Sequence, residues 1–164
     1  MELKVKKLYK DVKLPSYSRK GDAGIDLFAH TLEFVKSTQI KYGTGIAMEI
    51  PTGYVGLLIQ RSNTVNRGIR LSNCVGVIDS NFRGEILVYF SFNHRQGKLY
   101  HIGDKVAQIV IVPCPTFEVV DVRAINDSAR QGNGFGSSDA VSTEQADVQV
   151  PISEYTPRSD GTDR

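Results

Sequence analysis

An all-β fold follows from three features of this sequence. Apolar residues recur with period two. Glycine, proline and asparagine turns interrupt them at roughly ten-residue spacing, and almost no stretch has a helix-forming composition. Such spacing suits a sandwich, jelly roll or barrel.

Leu3, Val5 and Leu8, with Lys4 and Lys6 on the other face, predict a first strand. Tyr54 to Gln60 reads as another. Ile86, Val88, Phe90 and Phe92 alternate with Glu85, Leu87, Tyr89 and Ser91. Val106 to Val112 and Phe117 to Val122 are β-branched runs of strand length. Turns are expected at Gly43-Thr44-Gly45, Pro51-Thr52-Gly53, Asn66-Arg67-Gly68 and Gly103-Asp104. A short helix has room only between Arg61 and Arg70, where Asn, Thr and Val serve it poorly.

The 164 residues suit one domain with a sizeable core, and 40 % hydrophobic with 23 % charged residues is an ordinary soluble balance. Residues 1–127 read as a β-rich catalytic core and 128–139 as a glycine-rich arm, ordered only under some conditions. Residues 140–164 read as a flexible tail, since sparse apolar residues and Pro151 and Pro157 cannot offset the entropy of ordering. No apolar run approaches a membrane span, and the N-terminus lacks a signal-peptide core, so a cytoplasmic protein without membrane contact is expected. Cys74 and Cys114 are forty positions apart, and His30, His94 and His101 are scattered, which suits two reduced thiols rather than a zinc site. A net charge of +2 gives no ground for nucleic-acid binding. The tail from Ala140 carries −3, leaving +5 on the rest. A mildly basic core suits a small polyanion without demanding one.

Five clusters concentrate polar and glycine residues beyond what packing requires, and each has a bland reading beside the chemical one. Asp22-Ala23-Gly24-Ile25-Asp26 sets two acids at the start of a strand, as site carboxylates or as a capped turn. Pro51 to Gly56 leads through a strand to Arg61-Ser62-Asn63, donors for phosphate oxygens or a surface pair and cap. In Gly76 to Glu85, Asp79 follows an apolar strand, where it would be half-buried and able to orient a water; otherwise it is a loop residue. Phe82 offers an apolar wall. Gly103 to Gln108 puts an amide inside an apolar run, as structural glue or ligand contact. Arg130 to Ser138 mixes a cation and an aromatic with glycines that let backbone N–H groups approach an anion, or it is a linker. It is neither a phosphate-binding P-loop nor a dinucleotide fingerprint.

Together and in this order the clusters closely resemble the five motifs of the homotrimeric dUTP pyrophosphatase family. The likeness spans about Asp22 to Ser138, and DAGIDL, GVIDSNFRGEI, GDKVAQ and RQGNGFGSS are its strongest pieces. It implies a jelly-roll-like subunit, a homotrimer with three interfacial sites and a flexible C-terminal arm. It implies magnesium-dependent hydrolysis of dUTP to dUMP and pyrophosphate by water attack at the α-phosphate. By the same likeness, Asp79 resembles the carboxylate that activates water and contacts the sugar 3′-hydroxyl. Asn73 and the backbone of Gly76, Val77 and Ile78 resemble the uracil-reading hairpin. Phe82 stands where the family usually has tyrosine under the deoxyribose. Arg61, Ser62 and Gln108 resemble phosphate-binding groups, with Ser62 also among the catalytic set. Arg130 resembles the arm residue at the γ-phosphate, Phe135 the aromatic over uracil, and Gly136 and Ser137 its substrate-binding neighbours. Asp26 looks like the acid that orders water around the magnesium.

Departures from the pattern are Phe82, Gln60 and Asn63 beside Arg61-Ser62, and Arg-Gln-Gly-Asn-Gly in the arm. A dCTP deaminase, which shares the fold, would need an arginine where Asn66 stands and a glutamate where Tyr89 stands. A regulatory protein-binding trimer is the reading from a different class, against which the intact Asp79 argues.

Overall fold

A computed structural model describes residues 1–92 and 97–132. Its strands are β1 (Lys4–Lys7), β2 (Ile25–Phe28), β3 (Thr31–Lys36), β4 (Gln39–Gly43), β5 (Ile46–Glu49), β6 (Tyr54–Ile59), β7 (Ile69–Leu71), β8 (Gly76–Ile78), β9 (Leu87–Phe92) and β10 (Lys105–Pro113). They pair antiparallel throughout, as a β1-β5 ribbon and two four-stranded sheets, β2-β10-β6-β8 and β3-β4-β9-β7. Both sheets and the ribbon contribute to one core. Leu27, Leu58, Val106 and Ile109 come from one sheet, Ile40, Tyr42, Val88 and Phe90 from the other, and Ile46 and Met48 from β5. The architecture is the expected all-β, jelly-roll-like one.

Local sequence explains most of this. In β4 and β9 the alternation drives Ile40, Tyr42, Val88 and Phe90 inward, while Lys41 and Tyr89 stay at the surface side. β10 is bonded on both edges, and its β-branched run suits that central place. Gly45 at φ 68° and Gly53 at φ 84° turn the chain where the sequence placed turns. The one helix among the described residues is a 3-10 helix, Ser62–Arg67, closed by left-handed Gly68. Asn, Thr and Val kept this stretch from extending into an α-helix.

One expectation is overturned. Phe117 to Val122 joins neither sheet. Phe117 is 78 % and Val119 96 % exposed. β-branched residues favour an extended backbone, but a strand also needs an edge to bond to, and this run has none in the described sheets.

The chain divides into two compact units, Met1–Glu118, which holds every strand among the described residues, and Val119–Arg164. In the second, the described part ends in a turn at Ser128 to Gln131, where the Gln131 N–H donates to the Ser128 carbonyl at 3.1 Å and Gln131 takes φ 50°. No helix among the described residues is long and apolar enough to cross a membrane.

Candidate active site

Strand register assembles three of the five clusters. Across the β2-β10 ladder Asp26 faces Gln108, and across β10-β6 Gln108 faces Ile59. Residues directly opposite in an antiparallel pair share a face. Arg61 and Ser62 follow two and three residues after Ile59. The result is a cavity of about 680 Å³ lined by Arg19, Asp22, Gly24, Asp26, Arg61, Ser62 and Gln108.

Asp26 is the electrostatic centre of this cavity and is only 4 % exposed. Arg61 Nε donates to its Oδ1 at 2.9 Å. Lys105 Nζ lies 2.8 Å from Oδ2, to which the Ser18 hydroxyl also donates at 2.6 Å. Lys105 also bonds the Ser18 hydroxyl. Burial alone would raise the Asp26 pKa. The hydrogen bonds from Lys105 and Ser18 and the charges of Arg61 and Lys105 outweigh it and hold the carboxyl below its ordinary value. Asp26 is therefore an ionised anchor. Because Arg61 is held through Nε, its two terminal nitrogens remain for a further acceptor.

Gln108 sits half-buried with Nε2 donating to the Gln60 carbonyl at 3.2 Å. A Cβ at position 24 would stand 2.2 Å from its Oε1, so only glycine leaves the amide its place. Gln60 in turn accepts from the Leu71 N–H at 3.1 Å, and Asn63 Oδ1 accepts from the Tyr100 hydroxyl at 3.0 Å. The two departures beside Arg61-Ser62 thus each carry a structural bond. Ser18 lies outside the five clusters, and Lys105, inside the fourth, has no role assigned from sequence, because only the fold brings them to Asp26.

The third cluster lies elsewhere. β8 is the edge strand of its sheet, pairing Gly76 with Leu58 and Ile78 with Gly56. Asn73, Val77 and Asp79 are exposed, Gly76 is buried and Ile78 half-buried. Asp79 is thus not half-buried as expected, because a three-residue edge strand covers nothing beyond its own end. It borders a second cavity, of about 360 Å³, with Tyr54, Val77, Ser80 and Cys114. The Asp79 carbonyl accepts from the Phe82 N–H at 3.1 Å. Phe82 is 40 % exposed and its ring rests where a Cβ on Gly84 would lie 2.5 Å from Cζ.

The two cavities share no lining residue. Asp79 lies level with Val55 and Arg61 lies beyond Ile59, a separation of about 20 Å at the rise of a strand. The chain therefore brings together Asp26, Arg61, Ser62 and Gln108, and leaves Asp79 and Phe82 at the far end of β6. Arg130 is exposed in the second unit. Phe135, Gly136 and Ser137 lie outside the described residues. Among the described residues, no cluster of three or more His, Cys, Asp or Glu is placed to hold a metal.

Known proteins resemble this chain along most of its length. The dUTPase family model matches residues 10–139. The deoxyuridine 5'-triphosphate nucleotidohydrolase of Hydrogenobaculum sp. is 36 % identical over 141 residues, covering 84 % of this chain and 98 % of that one. Its counterpart in Clostridium kluyveri is 38 % identical over 140 residues, with coverage of 84 % and 98 %. Among solved structures, the dUTPase of Staphylococcus bacteriophage 80alpha with dUpNHpp superposes with a TM-score of 0.72 at 28 % identity, covering 83 % of this chain and 97 % of that one. A dUTPase mutant from phage phi11 of S. aureus, described as coordinating a structural Mg(II) ion, gives 0.68 at 26 % identity, covering 77 % and 100 %. With most of its length matched by the family model and by relatives above one-third identity, the chain belongs to the dUTPase family.

Proposed function

We propose that this chain hydrolyses dUTP to dUMP and pyrophosphate in sites completed between copies of a homotrimer, keeping uracil out of DNA and supplying dUMP for thymidylate synthesis. The observation that carries the reading is the convergence of Arg61, Ser62 and Gln108 on one cavity around the ion-paired Asp26. Two terminal guanidinium nitrogens, a hydroxyl and an amide suit phosphate oxygens, each charge-assisted contact contributing about 1.5–3 kcal/mol.

Magnesium would be held here through the nucleotide and water rather than by a protein cage, since no cluster of three or more His, Cys, Asp or Glu among the described residues is placed to hold a metal. Both Asp26 oxygens already meet Arg61, Lys105 and Ser18, so Asp26 would hold the ion only through water, not by direct ligation. When bound, it neutralises and orients the phosphates. The protein supplies the rest. Asp79 accepts the proton of the water that attacks the α-phosphate, worth about 10²–10⁴ in rate. Asn73 and the backbone of Gly76, Val77 and Ile78 read the uracil edge, rejecting thymine by its methyl group and cytosine by its amino donor. Phe82 packs under the deoxyribose. Arg130, Phe135, Gly136 and Ser137 close over the nucleotide.

The separation of Asp79 from Arg61 within one chain supports a site shared between copies, and the exposed run from Phe117 supplies apolar surface that assembly would cover. Product analysis with magnesium and dUTP, dCTP or dTTP tests the activity. Pyrophosphate from dUTP alone is expected. Ammonia from dCTP, or no turnover of dUTP, would overturn the reading.

A further inference from the structure

Behind the Arg61-Ser62 turn lies a hydroxyl network anchored in the core. Tyr100 is 2 % exposed and Thr64 fully buried. The Tyr100 hydroxyl lies 2.7 Å from Thr64 Oγ1 and donates to Asn63 Oδ1 at 3.0 Å. Since a hydroxyl has one proton, Thr64 must be the donor in the first bond. Arg67, at the other end of the 3-10 helix, stacks on the same ring with its guanidinium carbon 3.9 Å from the centroid, and Nη1 donates to the Leu99 carbonyl at 2.8 Å. The Lys98 N–H donates to the Arg67 carbonyl at 2.7 Å. Tyr100 is itself fixed. Its N–H donates to the Tyr42 hydroxyl at 2.9 Å, which donates back to the Tyr100 carbonyl at 3.1 Å, and its ring packs against Tyr42 and Phe90.

The 3-10 helix needs such support. Its first residue is Ser62, its cap residue Arg61 contributes no side-chain capping bond, and so short a 3-10 helix has little stability of its own. We infer that Tyr100, through Thr64 and Asn63, is a positioning residue for Arg61 and Ser62, transmitting the rigidity of the core to the phosphate-binding turn. This rests on the phosphate role proposed above for those two residues. Neither Tyr100 nor Thr64 touches the cavity, so each acts only through the turn.

The test uses two variants that keep shape and remove one hydroxyl, Tyr100→Phe and Thr64→Val, with Thr64→Ser as the conservative control. Affinity is measured in the full-length protein for dUpNHpp with magnesium and for deoxyuridine, which has no phosphate. Both hydroxyl-free variants are expected to bind dUpNHpp about tenfold more weakly, with deoxyuridine unchanged and Thr64→Ser like wild type. The two variants are read separately, so failure of one to fold leaves the other decisive. Loss of melting temperature with dUpNHpp affinity intact would make the network merely structural and overturn the inference. Equal weakening of both ligands would do the same. Arg61→Ala and Ser62→Ala are run alongside. If neither weakens dUpNHpp, the phosphate role falls, and the inference with it.

Discussion

Gly24→Ala perturbs the proposed phosphate cradle without replacing any polar residue. The added Cβ would meet Gln108 Oε1 at 2.2 Å, Cδ at 2.9 Å and Cβ at 3.2 Å, and Gln108 is held in β10 between two bonded strands. The backbone cannot yield, so the amide must rotate away. It loses the bond to the Gln60 carbonyl and its contact with a phosphate oxygen. At about 1.5–3 kcal/mol for a hydrogen bond to a charged partner, kcat/KM for dUTP should fall about 10- to 100-fold. Steady-state pyrophosphate release measures this. Gln108→Ala should cost a similar factor, and the double variant no more than either alone, because both remove one contact. Wild-type kcat/KM in Gly24→Ala, or additive losses in the pair, would refute the placement of Gln108.

Other consequences follow from the same geometry. Asp26→Asn should lower stability at pH 7 by about 1–3 kcal/mol, less than a fully buried pair, because Arg61 and Lys105 are partly exposed at 27 % and 34 %. Since folding depresses the Asp26 pKa, its stabilisation is fully present above the ordinary value of 3.8 and is lost as pH falls below that value through the lower folded one. Melting temperatures of wild type and variant should begin to converge only below about pH 4, and parallel profiles would exclude the anchor role. Gly84→Ala should displace the Phe82 ring and narrow the dUTP/UTP ratio of kcat/KM, as Phe82→Ala should. An unchanged ratio in both would remove Phe82 from sugar discrimination. Cutting after Asp139 should leave kcat/KM for dUTP nearly unchanged, while cutting after Asp127 should cost several kcal/mol of transition-state stabilisation. Equal losses would place the tail in the site.

Period two in Ile86 to Phe92 and the β-branched run of β10 were enough to give an all-β chain, because both patterns report burial on local faces. Phe117 to Val122 carries the same pattern without forming a strand, since periodicity says nothing of the edge a strand will bond to. The site divides similarly. Asp26, Arg61, Ser62 and Gln108 were legible as motif residues. That a single cavity holds them depends on a register no local pattern records. Ser18 has no distinctive neighbours, Tyr100 lies 36 positions from Thr64, and Lys105, though inside GDKVAQ, meets Asp26 only across the sheet. Asp79 was expected half-buried from the apolar residues before it, but β8 lies at a sheet edge and ends there.

The central claim is a site made from the Asp79 hairpin of one subunit and the Arg61 cradle of another. Subunit mixing tests it most directly. Asp79→Asn and Arg61→Ala are each expected to lose most dUTP hydrolysis. Co-refolded in equal amounts, about a quarter of the shared sites should draw an intact Asp79 from one parent and an intact Arg61 from the other, restoring about a quarter of the wild-type rate. Activity no greater than the mean of the two parents would contradict the account.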